Sequence, residues 1–479
     1  MTIYMHFSES IRVYNSNYSG NEFPFLCMFT HKKTVSRDPA WKRRSCSDTN
    51  ISVCNMAEGE VFDVILIGGG VVGCATAFHL ANMGYSCALL EKNDNVLSEA
   101  SSGNSGMLHT GFDAPQGSLE LTCIKLCQQR IYHTLDKLGV PYTRLGASMV
   151  AWDNIQVLPG MAWDNVQGQK LQEIQKMSED KHIPDIYNIT ASELYQMEPN
   201  LCRQAHSALW IPGETIVDPW HVPVALLHHS RRQGAQVWTN CKVLSCSRQS
   251  YGSWTVTTNK NTLKCKAVIN CAGLHGDEVD KLAGKHDFHI RPRKGQYIVY
   301  GSHKGSLINS SILPVPTDKT KGVIAFKSVY NNLIIGPTAE DVVERSIPAP
   351  DPLIKARLLH HAQKTIPNLI GCDVIGEYTG VRPATQFKDY QITSDQTRQW
   401  ITVGGIRSTG LSGCLGIADH VGHLVKEDLQ LEPTQGRSHR ISRVDLTFLP
   451  AQQTATADGC TYYMTHPITQ HGTHATSML

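Results

Sequence analysis

Between Val61 and Lys92 the apolar and polar positions fall into a strand–turn–helix–strand order. Val64-Ile65-Leu66-Ile67 is an uninterrupted apolar run, the mark of a parallel strand covered on both faces. Gly68-x-Gly70-x-x-Gly73 follows, then a helical pattern from Val71 to about Met83, then a second apolar run, Cys87-Ala88-Leu89-Leu90, ending on Glu91. Further along, a Ser/Gly/Asn-rich loop at 98–111 leads into helical spacing over 119–138. Helical spacing returns over 171–177, 222–233, 353–365 and about 411–427. Strand-like runs occupy 149–151, 253–258, 266–270, 296–300, 322–326, 333–336, 378–382 and 400–403. This mixture predicts an α/β nucleotide-binding domain interrupted by insertions that build a second, mainly antiparallel domain.

The glycine spacing has a chemical meaning. Gly68 lets the chain turn off the strand, Gly70 lets a pyrophosphate approach the backbone, and Gly73 lets helix and strand pack closely. Phosphates then meet free N–H groups at a helix N-terminus, where the helix dipole favours negative charge. Glu91 follows Gly73 by 18 residues, where a carboxylate accepts hydrogen bonds from ribose hydroxyls. That acid would repel a 2′-phosphate, so the motif predicts FAD or NAD rather than NADP. A second glycine-rich strand end, Gly404-Gly405-Ile406-Arg407-Ser408-Thr409-Gly410-Leu411-Ser412-Gly413, opens the last long helical pattern. A helix start of this kind stabilises the negative charge of a reduced flavin; a plain turn closing the sheet is the alternative.

Bulk properties narrow the classes. The 479 residues suffice for two domains, and 44 Lys+Arg nearly cancel 42 Asp+Glu, so no basic stripe points to nucleic acid. No apolar run approaches the ~20 residues of a membrane span. Fifteen cysteines are scattered, with no CxxC pair. Cys74, Cys87 and Cys271 lie in apolar runs, and Cys123 and Cys127 lack histidines at ligand spacing; reduced thiols in an intracellular protein are expected, and no metal site. Residues 1–55 have no clear period and read as an extension outside the core, with Met56 a possible natural start. Their basic residues suit a mitochondrial presequence, while Glu9, Glu22, Asp38 and Asp48 weigh against one. Residues 434–479, rich in Thr, Gln, His and Ser, read as a disordered tail. Its end, Ser477-Met478-Leu479, resembles a peroxisomal tripeptide only loosely. An Ala-Trp-Asp-Asn repeat at 151–154 and 162–165 reads as a tandem insertion in a surface loop, too short for a solenoid.

Five motifs occur in a telling order: Ile67–Gly73, the Ser105–Gly111 loop, Cys271-Ala272-Gly273, Gly380-Val381-Arg382-Pro383 and Gly405–Gly413. Together they resemble the D-amino-acid oxidase superfamily of FAD-dependent oxidoreductases. The nearest branch contains L-2-hydroxyglutarate dehydrogenase and FAD-dependent glycerol-3-phosphate dehydrogenase; Asn104-Ser105-Gly106 with His109, Gly117-Ser118-Leu119 and Gly336–Ala339 carry that likeness. Glu120 departs from the lysine usual in that branch after Gly-Ser-Leu. Pro383 is closer to the glycine-oxidase and glycerol-3-phosphate types.

The resemblance implies an α/β fold: an FAD-binding Rossmann-like domain of the glutathione-reductase type with an interleaved, mainly antiparallel β substrate domain. Residues 61–147, 206–290 and 372–430 are expected in the first, and 148–205 and 291–371 in the second. It implies non-covalent FAD contacted by Gly68, Gly70, Gly73, Glu91, Ser101, Ser102, Val243, Ala272, Gly273, Gly405, Gly410, Leu411 and Ser412. Arg382 would clamp a substrate carboxylate or phosphate, since a guanidinium binds two oxygens at once. Arg407 is a second anion-binding candidate, and His109 a candidate base for a hydroxyl proton. A surface ion pair for Arg382 and a loop-bracing role for His109 are the alternatives.

The expected function is oxidation of a small anionic hydroxy substrate, L-2-hydroxyglutarate or glycerol 3-phosphate, with hydride passing to flavin N5. Electrons would leave to a quinone, oxygen or another acceptor. An amino-acid or sarcosine-type amine oxidase, a catalytically silent FAD-binding protein and an NAD-dependent dehydrogenase are the competing readings. The compartment is expected to be mitochondrial or cytoplasmic, with a peroxisomal location open.

Overall fold

The computed structural model describes residues 61–152, 166–250, 252–316, 322–438 and 440–476. The extension at 1–55 lies outside them, as do residues 153–165, which hold most of the Ala-Trp-Asp-Asn repeat. The first apolar run becomes the strand Val61–Ile67, buried everywhere except Val61. It pairs in parallel with Cys87–Leu90 on one side and Thr262–Asn270 on the other. Cys87–Leu90 pairs in turn with Gln236–Trp238. The strand Thr262–Asn270 divides its edge: its first half pairs antiparallel with Trp254–Thr258, its second half parallel with Trp400–Gly404. Among the described residues this sheet has eight strands.

Helix Val71–Met83 starts on Gly70 and ends on Gly84, whose φ of 92° is the left-handed turn that glycine adopts freely. It and helix Gly410–His423 lie on the sheet, and Leu80, Ala81, Ile417 and Val421 share one core cluster with Val64, Leu66, Leu89 and Ile401. Each fully buried Leu or Ile there contributes about 1.5–3 kcal/mol. The glycine turns therefore sit where rigid strands end.

The second sheet has nine strands among the described residues. Its spine is the long antiparallel pair Ile290–Tyr300 and Val374–Thr385. From Ile290–Tyr300 it continues through Leu333–Gly336, Ile324–Lys327 and Ser311–Pro314 to Ala147–Trp152 and Ala205–Ile211. Only the ladder between Ser311–Pro314 and Ala147–Trp152 is parallel among these.

Two expectations are corrected. Ala205–Ile211 and Val374–Thr385 belong to the second sheet, not to the nucleotide-binding one. Local sequence does not record a strand's partners, and only pairing decides which sheet a strand joins. The described residues from 434 on, 434–438 and 440–476, are ordered. Thr447–Leu449, Thr454–Ala457 and Cys460–Tyr463 form an antiparallel three-stranded sheet, followed by helix Pro467–Thr476. Its apolar residues are few but well placed: Ala455, Tyr462, Met464 and Ile468 are all buried. The Trp220 indole N–H donates to the Tyr463 carbonyl at 2.9 Å. Averaged composition hides such a segment, because a handful of apolar side chains suffices when a finished core receives them.

No helix among the described residues is long and apolar enough to cross a membrane. The twelve cysteines among them are all free thiols.

Candidate active site

The first glycine turn is closed by backbone. Gly68 has φ 114°, and a Cβ there would stand 2.4 Å from the Cys271 carbonyl oxygen. A Cβ at Gly73 would stand 2.0 Å from the Gly68 carbonyl oxygen. Neither position admits a side chain, and the close helix–strand packing expected of Gly73 is what is seen. At the helix start the Val71 N–H donates to Ser101 Oγ at 3.0 Å, which brings the Ser/Gly loop over the turn. Glu91 ends the second strand. Its Oε2 accepts from the Gly69 N–H at 2.7 Å, and its Oε1 from the Asn93 backbone and side-chain amides, each at 2.8 Å. Burial pushes its carboxyl up, against the pull of these hydrogen bonds.

The second glycine turn follows strand Trp400–Gly404, with Gly405 at φ 67°. Helix Gly410–His423 then starts with no side-chain cap. The N-cap residue, Thr409, turns its hydroxyl away, donating to the buried Glu120 carboxylate at 2.6 Å and bonding the Tyr390 hydroxyl at 2.7 Å. The helix N–H groups stay open at their cleft end. Ser412 accepts from the His109 N–H at 2.9 Å and donates to the Met107 carbonyl at 3.2 Å, tying the loop to this helix.

One cleft of about 1080 Å³ joins the two turns. It lies just above the ~300–1,000 Å³ usual for ligand sites, as an elongated dinucleotide requires. Of the expected cofactor contacts, Gly68, Gly70, Glu91, Ser101, Ala272 and Gly273 line it beside the first turn, and Gly405, Gly410 and Leu411 beside the second. Gly73, Ser102 and Ser412 stand behind the wall; Ser102 Oγ donates to the Glu99 carbonyl at 2.8 Å.

Val243 is not among the residues that line the cleft. It pairs with Thr258 at the sheet's outer edge and packs beside the cluster of Phe62 and Trp254. The Glu91 backbone bonds Trp238 and Cys241, so the 238–241 turn that leads to Val243 adjoins that strand end.

The second sheet supplies the facing wall. Arg382 is half-buried, and opposes Arg293 across the ladder, so both side chains stand on one face. Arg382 donates from Nη2 to the Thr338 carbonyl at 3.4 Å and forms no ion pair among the described residues. Arg345 also lines the cleft but is spent on Asp277. Burial would raise the Asp277 carboxyl, yet Arg345 and the Ile290 N–H hold it below its ordinary value. Arg407 lines the cleft and donates from Nη1 to the Lys388 carbonyl at 2.9 Å. Tyr297 and Tyr378 stack at 4.4 Å, and Tyr378 OH donates to the Asn104 carbonyl at 3.1 Å. A Cβ at Gly380 would meet the Gly103 oxygen at 1.9 Å, so loop and wall touch backbone to backbone.

His109 reaches the cleft from that loop, and its Nδ1 lies 2.7 Å from Glu214 Oε2. The Glu214 side chain has no exposure, and its Oε1 accepts from the Thr110 N–H at 2.8 Å and hydroxyl at 3.0 Å. Sequence reading did not find Glu214. The available signal was an acid closing the Ile211-Pro212-Gly213 turn, but nothing local links it to a histidine 105 residues earlier. His466, from the supposed tail, is buried with Nε2 3.1 Å from the Asn104 carbonyl, and it too was missed.

The residues fit FAD: two helix starts at one cleft, a glycine cradle that any Cβ would fill, and a buried carboxylate at the second strand end. Over residues 63–424 the chain matches the family described as "FAD dependent oxidoreductase". A glycerol 3-phosphate dehydrogenase of Caloramator mitchellensis is 28% identical over 375 residues, 76% of this chain and 74% of that one. The mitochondrial L-2-hydroxyglutarate dehydrogenase of Caenorhabditis elegans is 28% identical over 348 residues, 69% of this chain and 76% of that protein. The solved L-alpha-glycerophosphate oxidase of Mycoplasma pneumoniae, dithionite-reduced with FAD bound, superposes with a TM-score of 0.73 at 26% identity, covering 81% of this chain and 100% of that one. With the match running from the first buried strand to the end of the second glycine-led helix, the chain belongs to the DAO family of FAD-dependent oxidoreductases.

Proposed function

We propose that this protein oxidises a small anionic hydroxy compound, of the 2-hydroxy acid or glycerol 3-phosphate type. The observation that carries the reading is a shared cleft: Arg382, without a carboxylate partner among the described residues, and His109, backed by a buried carboxylate, line the same cavity as both glycine turns. Relatives named for glycerol 3-phosphate and L-2-hydroxyglutarate support the substrate class.

Each residue then has a role. Gly68, Gly70 and Ser101 receive the cofactor's diphosphate, Glu91 its ribose, and Ala272 and Gly273 the middle of the site. Gly405, Gly410 and Leu411 take the redox end, with Gly73, Ser102 and Ser412 bracing from behind. Bound without a covalent link, FAD supplies the acceptor for the two electrons that leave carbon as hydride. Arg382 holds the substrate's negative end in a fork of donors, with Arg407 beside the second helix start as a further anion contact. His109 takes the hydroxyl proton. Holding the substrate so that proton and hydride leave together is the protein's main contribution. The electrons pass on to a quinone, oxygen or another acceptor. The free thiols of the described residues favour an intracellular compartment, mitochondrial, cytoplasmic or peroxisomal.

The test is anaerobic bleaching of the yellow holoprotein by a substrate panel. L-2-hydroxyglutarate or glycerol 3-phosphate should bleach it, and Arg382→Met should weaken that substrate by about 10²–10³-fold in kcat/KM while keeping the colour. Bleaching by sarcosine or glycine alone would make it an amine oxidase. Persistent yellow with every hydroxy acid and amine would make it a silent FAD-binding protein.

A further inference from the structure

We infer that Glu214 is a positioning residue that fixes the tautomer of His109 and so makes Nε2 the ring's proton-accepting atom; this rests on the role of His109 proposed above. A carboxylate has acceptors only. With Glu214 Oε2 2.7 Å away, Nδ1 must carry the hydrogen, and in a neutral imidazole that leaves the lone pair on Nε2. When the substrate hydroxyl breaks its O–H bond, the proton goes to Nε2, and the carbon-bound hydrogen leaves with its electron pair to the bound FAD. The ring is then an imidazolium beside a fully buried carboxylate, where opposite charges attract more strongly than in water.

The surroundings support a dedicated arrangement. The other carboxylate oxygen is engaged by Thr110, through N–H and hydroxyl, so Glu214 cannot rotate away without breaking three contacts. The His109 backbone is held separately: its N–H donates to Ser412 Oγ at 2.9 Å, and its carbonyl accepts from Gln128 Nε2 at 2.9 Å. The loop therefore has anchors that do not involve Glu214, which leaves the carboxylate to govern the ring. The competing explanation is that Glu214 merely clamps the loop through Thr110.

Glu214→Gln separates the two. Its amide oxygen still serves Thr110, while its N–H₂ faces Nδ1 and forces the proton onto Nε2. The rate of flavin reduction in anaerobic stopped flow should fall by about 10²–10⁴-fold. Substrate Kd, read from the flavin spectrum, and FAD content should stay within about twofold, because only a transition-state interaction is lost. Glu214→Asp should recover part of the rate. Thr110→Val, which removes one hydroxyl contact to the same carboxylate, should cost less than about threefold, a loss below one ordinary hydrogen bond.

A readout independent of turnover is ¹⁵N NMR of imidazole-labelled holoprotein, with His109 assigned by loss of its signals in His109→Asn. Nδ1 should be the protonated nitrogen in the wild type and the unprotonated one in Glu214→Gln. If Glu214→Gln does not fold, the wild-type tautomer and the Glu214→Asp rate decide. A wild-type reduction rate in Glu214→Gln, or an unprotonated Nδ1 in the wild type, overturns the inference. An undiminished rate in His109→Asn overturns instead the proton-acceptor reading of His109.

Discussion

The two glycine-led helix starts stand side by side yet use glycine for different reasons. At Val71–Met83 the glycines are steric: backbone oxygens lie 2.4 Å and 2.0 Å from where side chains at 68 and 73 would begin. A serine from another loop also covers the first N–H. At Gly410–His423 space remains. A Cβ at Gly410 would meet an Ile406 methyl at 3.2 Å and a Val71 methyl at 3.5 Å, both movable. Glycine there leaves the N-terminal N–H groups uncovered, while Thr409 turns inward to Glu120. A glycine motif is thus two statements, one about packing and one about access, and only contacts tell them apart.

The largest effect expected from breaking this distinction is at Gly73. Gly73→Ala sets a methyl against backbone that has no room to yield. It should destabilise the protein by about 3 kcal/mol and purify colourless, checked by thermal melting and the flavin absorbance. A yellow variant of normal Tm would remove the steric reading. Next comes Thr409→Val, which leaves the Glu120 carboxylate buried without its donor; a loss of about 1–3 kcal/mol in urea unfolding is expected, with the yellow colour retained.

Acid should act on the first helix start's side, where His466 braces the loop. Burial lowers its pKa from 6.5 to about 4, against a raising influence from Asp218. The folded protein refuses a proton that the unfolded chain accepts. This contribution to stability is therefore complete above pH 6.5 and shrinks as pH falls toward 4, by roughly 1 kcal/mol per unit. Urea midpoints across that window should fall less steeply for His466→Gln. The smallest effect is at Gly410: Gly410→Ala should shift stability by less than about 1 kcal/mol, because alanine's better helix propensity offsets a soft contact. A collapse of folding there would erase the contrast between the two turns.

How much was legible depended on distance along the chain. The buried strand, its glycine turn, the following helix and Glu91 all lie between Val61 and Glu91, and each is specified by its own neighbours: apolar runs, glycines at sterically closed positions, an acid at a strand end. The second glycine turn was equally local. Arg382, Arg407 and His109 were singled out by type and context, and the fold brings all three to one cavity. Glu214 was not found, because its meaning arises only when a loop 105 residues away lays His109 against it. The segment after 434 was taken as disordered because its few apolar side chains find a core built by other elements.

The sequence by itself determined the nucleotide-binding strand–turn–helix, the cofactor class and the chemistry available to the site, since those follow from dihedral freedom, periodicity and charge within one short window. Tertiary structure alone decided which sheet each later strand joined, which carboxylate backs the histidine and how the C-terminal segment docks. Those outcomes rest on pairings between distant surfaces, which no local pattern records.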